Sequence, residues 1–187
     1  MCVEIEAKLK VDSLREVQNK LGQLGAEFLE EQRQIDYYFD DANRGLTKTD
    51  RCLRLRRQES DKDEKVFLTY KGAKEKNEFK KRQEIEIEIE IGDLESAERM
   101  LSALNYEKVL VFEKKRGIWR LGECKIALDE LPLLGSFVEI EGPNGEKIAD
   151  VQKSLGLADL PHIGQSYASL MEEKLHQLER TEREIFL

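Results

Sequence analysis

Four glutamates stand in two close pairs, Glu4 with Glu6 and Glu139 with Glu141. Each pair is spaced by two, the period at which a β-strand returns a side chain to the same face. Cationic residues follow a similar rule in other segments: Arg54 with Arg56, Lys71, and Lys114 with Arg116. If these segments wall a common space, a ligand that suits both sets must be polyanionic and metal-bound. Polyphosphate fits. Guanidiniums grip its oxygens in bidentate fashion, while carboxylates hold Mg²⁺ or Mn²⁺ that bridges the same oxygens. Phosphoryl transfer needs chiefly positioning and charge neutralisation, so no strong covalent nucleophile is required. Histidine chemistry is poorly supported, because His162 and His176 are the only two histidines and both lie in the C-terminal quarter. Any metal would therefore be held by carboxylates, which favours hard cations. The phosphate-loop patterns G-x-x-x-x-G-K-[ST] and G-x-G-x-x-G are absent.

The elements that must position these residues are mostly strands. Period-2 alternation recurs at 3–11, 35–39, 52–56, 65–71, 83–92, 109–121, 124–129 and 137–141, which predicts roughly eight strands. The stretch QEIEIEIEIG at 83–92 has one carboxylate face, Glu84, Glu86, Glu88 and Glu90, and one isoleucine face that is expected to bury. Helical spacing predicts helices over 14–24, capped by Asp12-Ser13, and over 94–104, capped by Asp93, with further helices at 144–156 and 166–180. An offset of about eighty positions carries Glu4-Ile5-Glu6 onto Glu84-Ile85-Glu86 and Leu14, Leu21 and Leu24 onto Leu94, Leu101 and Leu104. The chain thus reads as a single domain, 1–187, of two related halves, about 3–80 and 83–180. Nearly every strand is charged on one face and apolar on the other, with acidic and basic strands segregated. That predicts an α+β fold: an eight-stranded antiparallel β-barrel or tunnel, charged inside, with flanking helices.

Composition narrows the partners. The net charge of −8 opposes binding along a nucleic-acid backbone. No apolar run approaches a membrane span, and the opening MCVEIEAKLK lacks an apolar leader, so a cytoplasmic location without membrane association is expected. Cys2, Cys52 and Cys124 are scattered and odd in number, consistent with reduced thiols.

On these residues the chain resembles the CYTH superfamily, the triphosphate tunnel metalloenzymes, which include class IV adenylate cyclases and thiamine triphosphatases. VEIEAK supplies an E-x-E-x-K pattern through Glu4, Glu6 and Lys8. The landmarks QIDYYFD, LRLRR, LTYKG, KKRQEIEIE, EKKRGIW, ALDELPLLGSFVEIEG and QSYASLM follow in order over almost the whole chain. The wording is most similar to the CyaB-like class IV cyclase branch. The resemblance implies that Glu4, Glu6, Glu139 and Glu141 bind Mg²⁺ or Mn²⁺. It implies phosphate contacts for Lys8, Arg54, Arg56, Lys71, Lys114 and Arg116. Arg82, Glu84 and Glu86 fall in an R-x-E-x-E element on a tunnel-lining strand, and Asp129 at an acidic position that assists metal or phosphate binding. Glu88 and Glu90 are expected near the rim, in water.

A solvated Glu-Lys face is the ordinary explanation for any one of these strands, and a guarded edge for Arg54 and Arg56; the ordered landmarks outweigh it. The expected partner is a small triphosphate: ATP, tripolyphosphate or thiamine triphosphate. Three functions follow: a class IV type adenylate cyclase, a triphosphate hydrolase on the same scaffold, and a non-catalytic polyphosphate-binding module, which the paired carboxylates disfavour. A homodimer is compatible with this reading. The helix at 166–180 is expected to pack, with Ser166-Tyr167 over one tunnel mouth.

Overall fold

The computed structural model describes residues 5–73 and 83–187. Its strands are β1 (Glu6–Val11), β2 (Glu27–Asp40), β3 (Cys52–Ser60), β4 (Glu64–Lys71), β5 (Glu84–Ile89), β6 (Glu107–Leu121), β7 (Cys124–Leu131), β8 (Gly135–Glu141) and β9 (Glu184–Ile185). The helices are α1 (Leu14–Gln23), α2 (Gly45–Lys48), α3 (Leu94–Ala103), α4 (Gly145–Ser154) and α5 (Tyr167–Gln177). All eight expected strands form. The aromatic run at 35–39 is only the end of the long β2, while α2 and the two-residue β9, which pairs with β6, had no clear periodic signal. Among the described residues, no helix is long and apolar enough to cross a membrane.

The main strands pair antiparallel in the order β1-β8-β7-β6-β2-β3-β4-β5. Exchanging each strand for the one four places along the chain returns the same order reversed. The central pair, β2 with β6, sets Gln34 opposite Lys114. The helices that follow β1 and β5 match as well: α1 buries Val17 and Leu21, α3 buries Ala97 and Leu101. The two halves of the chain thus share strand order and helix placement.

Alternation decides which side chains face which layer. Outward-facing Leu9, Ile126, Val138 and Ile140 pack under α1 and α4. Outward-facing Phe39, Leu55 and Val66 pack under α3. Ser13 caps α1 by accepting from Glu16 N–H, and Asn144 caps α4 by accepting from Lys147 N–H. Asp93 precedes α3 without a side-chain cap, since a 3₁₀ turn at Ile91–Asp93 leads into that helix. On the inner face, Phe112, Leu131 and Phe137 meet Tyr167, Met171 and Leu175 of α5. Of the four longer helices, one therefore packs inside the curl of the sheet and three outside it.

Two expectations need correction. The isoleucine face of β5 does not bury: Ile85 and Ile87 are 53% and 52% exposed. The α3 cluster reaches Ile89 but not those two, and β5 ends the strand order with a single neighbour. The barrel is also not closed by hydrogen bonds among the described residues. The terminal strands β1 and β5 do not pair, and one β1 carbonyl, that of Lys8, accepts from Ile163 N–H at 2.8 Å. What forms is an antiparallel sheet curled around one cavity, with a seam.

Candidate active site

All eight long strands contribute to a cavity of about 390 Å³ inside the curl. From β1 and β8 come Glu6, Lys8, Glu139 and Glu141; from β3 and β4, Arg54, Arg56 and Lys71; from β5, Glu84 and Glu86; from β6, Lys114 and Arg116. These eleven are expected site residues, brought together from strands far apart in sequence. Glu4 and Arg82 lie outside the described residues.

Asp129 occupies a different layer. It is 0% exposed and stands behind Arg116. Arg116 Nε and Nη2 donate to its two oxygens at 2.6 and 2.5 Å, and the Tyr167 hydroxyl donates to Oδ2 at 2.7 Å. These donors take three of its roughly four lone-pair sites, and it does not line the cavity, so in this arrangement it orients Arg116. Arg116 also donates to Glu139 Oε2 at 2.5 Å, and Glu139 Oε1 lies 3.3 Å from Lys8 Nζ.

Asp36 was not singled out by sequence, because IDYYF reads as an aromatic strand. It lines the cavity, 1% exposed, and accepts from Arg56 Nε at 2.6 Å and Nη2 at 2.8 Å. Burial acts to raise its pKa, but Arg56 and Arg54 hold it well below the usual carboxylate range. The signal was present at period 2: Gln32, Gln34, Asp36 and Tyr38 share the inner face of β2. Gln34 Nε2 donates to Gln32 Oε1 and Gln58 Oε1, and Gln32 Nε2 to Glu30 Oε1, a polar ladder toward the cavity mouth.

The electrostatics favour an anion. Lys114 is 2% exposed. Burial first, then Arg116 and Arg56, push its pKa well below the ordinary lysine value. Arg54 donates through Nη2 to Thr69 Oγ1 at 3.2 Å, while its buried Nε has no hydrogen-bond partner among the described residues and Asp36 Oδ1 stands off at 3.8 Å. Such a donor is costly to bury unless an acceptor arrives. Glu84 pairs with Lys71, and Glu86 accepts from Thr69 Oγ1 at 2.8 Å. Glu88 and Glu90 are exposed, with Lys65 3.8 Å from Glu88.

Glu6 and Glu141 are direct cross-strand partners, and Glu139 is two residues away on β8. Among the described residues, no three acidic, histidine or cysteine side chains already meet as a metal cluster. The donor set still suits Mg²⁺ or Mn²⁺. Mg²⁺ is commonly held by one or two carboxylates, with substrate phosphates and water completing the shell. A cation also relieves the repulsion of like charges placed opposite each other on neighbouring strands.

The fold is shared with known proteins. The chain is 31% identical over 177 residues to a putative adenylate cyclase of Methanocaldococcus jannaschii, covering 90% of this chain and 98% of that protein. Its fold matches the PH1819 protein of Pyrococcus horikoshii with a TM-score of 0.79 at 31% identity, covering 91% and 99% of the two chains. It also matches HpAC1 from Hippeastrum, an adenylyl cyclase by name with a dominant triphosphatase activity, with a TM-score of 0.70 at 22% identity over 91% and 95%. The CYTH domain profile matches residues 3–167, nearly the full length of the sheet and its charged cavity, and the chain belongs to the CYTH domain family.

Proposed function

We propose that the chain is a divalent-metal-dependent phosphoryl-transfer enzyme that takes a triphosphate into this cavity, and that its reaction is of the class IV adenylate cyclase type. The observation that carries the reading is the convergence of buried Arg54, Arg56 and Lys114 with half-buried Arg116, bordered by Glu6 and Glu141. Four cationic side chains in one enclosed space are stabilised when a polyanion supplies acceptor oxygens.

Arg54, Arg56, Lys114 and Arg116 bind the phosphate oxygens, and Lys8 and Lys71 extend the grip toward β1 and β4. Arg116, held by Asp129, presents its guanidinium in a fixed orientation. Glu6 and Glu141, with Glu139, would hold Mg²⁺ or Mn²⁺, which supplies charge neutralisation at the phosphate oxygens when bound. In the cyclase reaction the ribose 3′-oxygen bonds to the α-phosphorus, and the bond from that phosphorus to the α–β bridging oxygen breaks. Pyrophosphate leaves against the arginines, and the 3′-hydroxyl proton passes to solvent.

A second reading, triphosphate hydrolysis, shares this binding. Water attacks a phosphorus in place of the ribose oxygen. It is favoured by the dominant triphosphatase activity of the Hippeastrum protein of like fold. The scarcity of apolar wall, Phe67, Ile118 and Ala127 among charged neighbours, is also suited to a substrate with little organic bulk.

The test is to incubate the purified protein with ATP, tripolyphosphate and thiamine triphosphate, each with Mg²⁺ or Mn²⁺, and to separate the products. Cyclic AMP with pyrophosphate is the expected outcome. Phosphate without cyclic AMP sinks the cyclase reading in favour of hydrolysis. Metal-dependent binding without turnover points to a non-catalytic module.

A further inference from the structure

Lys8 comes from the terminal strand β1 and Lys114 from the central strand β6, yet both ammonium groups face one aromatic ring. Lys8 Nζ lies 3.8 Å from the centroid of the Tyr167 ring, and Lys114 Nζ lies 5.2 Å from it. Both are inside the range of cation–π attraction, about 6 Å. The ring is clamped. Its hydroxyl donates to Asp129 Oδ2 at 2.7 Å, and Phe137 meets it edge-on, with centroids 5.2 Å apart at 74°. Tyr167 is 7% exposed and opens α5, directly after the cap residue Ser166.

The chain just before it also holds Lys8. Gln165 C=O accepts from Lys8 Nζ at 3.1 Å, and Ile163 N–H donates to Lys8 C=O at 2.8 Å. The segment 163–167 therefore fixes Lys8 through its backbone, its ammonium hydrogen bond and its charge.

Two ammonium groups drawn to one ring repel each other, and something must hold them. A carboxylate would neutralise both and repel an incoming phosphate. An aliphatic side chain would leave the ammonium groups free to turn toward nearby carboxylates, as Lys8 already does in part toward Glu139. An aromatic face attracts both cations and leaves their charge available. We propose that Tyr167 is a positioning residue, whose ring holds the Lys8 and Lys114 ammonium groups ready for phosphate oxygens and makes α5 a functional part of the cavity. The proposal rests on the triphosphate reading above.

Tyr167→Phe and Tyr167→Leu separate the ring from the hydroxyl and from simple packing. Three quantities are measured on the full chain: affinity for inorganic tripolyphosphate in EDTA by calorimetry, thermal midpoint, and the ¹H shifts of lysine ε-methylenes in ¹³C-lysine-labelled protein. Tyr167→Phe is expected to stay within about threefold of the parent affinity, whereas Tyr167→Leu weakens binding by about 30-fold, as loss of desolvated cation–π contacts implies. The Lys8 ε-methylene protons are expected upfield from the ring current in the parent and in Tyr167→Phe, and at ordinary shifts in Tyr167→Leu. Equal affinities for the Phe and Leu variants overturn the proposal. Ordinary Lys8 shifts in the parent overturn it even if the Leu variant does not fold. A parent that shows the ring-current shift but does not bind tripolyphosphate overturns the triphosphate reading, and leaves the ring as the holder of the two lysines.

Discussion

On either side of the central Gln34–Lys114 pair, the sheet carries an arginine–aspartate pair with two hydrogen bonds, and the roles are exchanged. On one side Asp36 sits on the central strand β2 and Arg56 on its outer neighbour β3. On the other, Arg116 sits on the central strand β6 and Asp129 on its outer neighbour β7. Both carboxylates are buried, but only Asp36 reaches the cavity. Asp129 is sealed behind Arg116 by the Tyr167 hydroxyl. The same pair thus serves two purposes. Around Asp36 a carboxylate moderates the crowding of Arg54, Arg56 and Lys114. Around Asp129 a carboxylate aims one guanidinium, whose Nη2 donates to both Asp129 and Glu139. The close glutamate partners Glu6 and Glu141 occur only on the second side; across the sheet, β5 contributes Glu84 and Glu86, already engaged by Lys71 and Thr69.

The comparison can be broken most strongly at the glutamates. Glu6→Gln is expected to lower metal-dependent turnover on the order of 100-fold with an unchanged thermal midpoint. Glu86→Gln, at the position offset from it in the other half, should stay within about threefold, since it interacts with Thr69 and Arg54. Equal losses would mean that the two sides share the metal role.

Next come the aspartates. Asp36→Asn and Asp129→Asn should each cost about 3 kcal/mol in denaturant unfolding, because each leaves buried guanidinium charge with less compensation. Their effects on tripolyphosphate affinity should differ in sign. Asp36→Asn removes a negative charge from the cavity wall and tightens binding about tenfold. Asp129→Asn loosens Arg116 and weakens it. Weakening by both would erase the distinction drawn here. Acid sharpens it further: because the Asp36 pKa is lowered on folding, its stabilisation is present above the unfolded value near 3.8 and is lost as pH falls through the lower folded value.

A smaller effect is expected at Lys114, between the two sides. Its pKa is depressed on folding, so the unfolded chain binds more protons in the window below its ordinary value of 10.5. The ligand-free protein should therefore gain stability as pH rises through that window. Tripolyphosphate should restore the proton. Binding then takes up a proton and weakens with rising pH, at most tenfold per unit. Calorimetry in buffers of different ionisation enthalpy measures the uptake, and Lys114→Met should abolish it. The smallest effect belongs to Glu27 and Arg120, which pair across the same two strands but in water. Glu27→Gln should leave both affinity and unfolding midpoint unchanged within error. A clear loss there would show that position in the sheet, and not burial, sets the strength of these pairs.

Much of this arrangement was readable from alternation. Parity put Arg54 with Arg56, Lys114 with Arg116 and Glu84 with Glu86 on inner faces, and turned Lys115 outward. Parity alone could not show that Asp36 belongs with them, since Tyr37, Tyr38 and Phe39 mask the polar set of β2. It also could not separate Asp129, which shares its strand face with Ala127 of the cavity wall but is covered by α5. Tyr167 is expected over a tunnel mouth and does line the cavity, but its place beside two lysines is not legible, because helical spacing reports which face is apolar, not what the first residue reaches. The isoleucines of β5 misled for a related reason: an apolar face buries only where an element covers it, and α3 stops short of Ile85 and Ile87.

The sequence by itself determined the eight long strands, four helices, the charge of each strand face and the family. These follow from local rules, because periodicity and capping act within a few residues. The tertiary structure alone decided which charges meet. It set Asp36 against Arg56 and Arg116 against Asp129, brought Glu6 across from Glu141, and laid Tyr167 beside two lysines. Those contacts depend on strand order, register and the entry of α5 into the curl, which are set by long-range packing and have no local spacing to announce them.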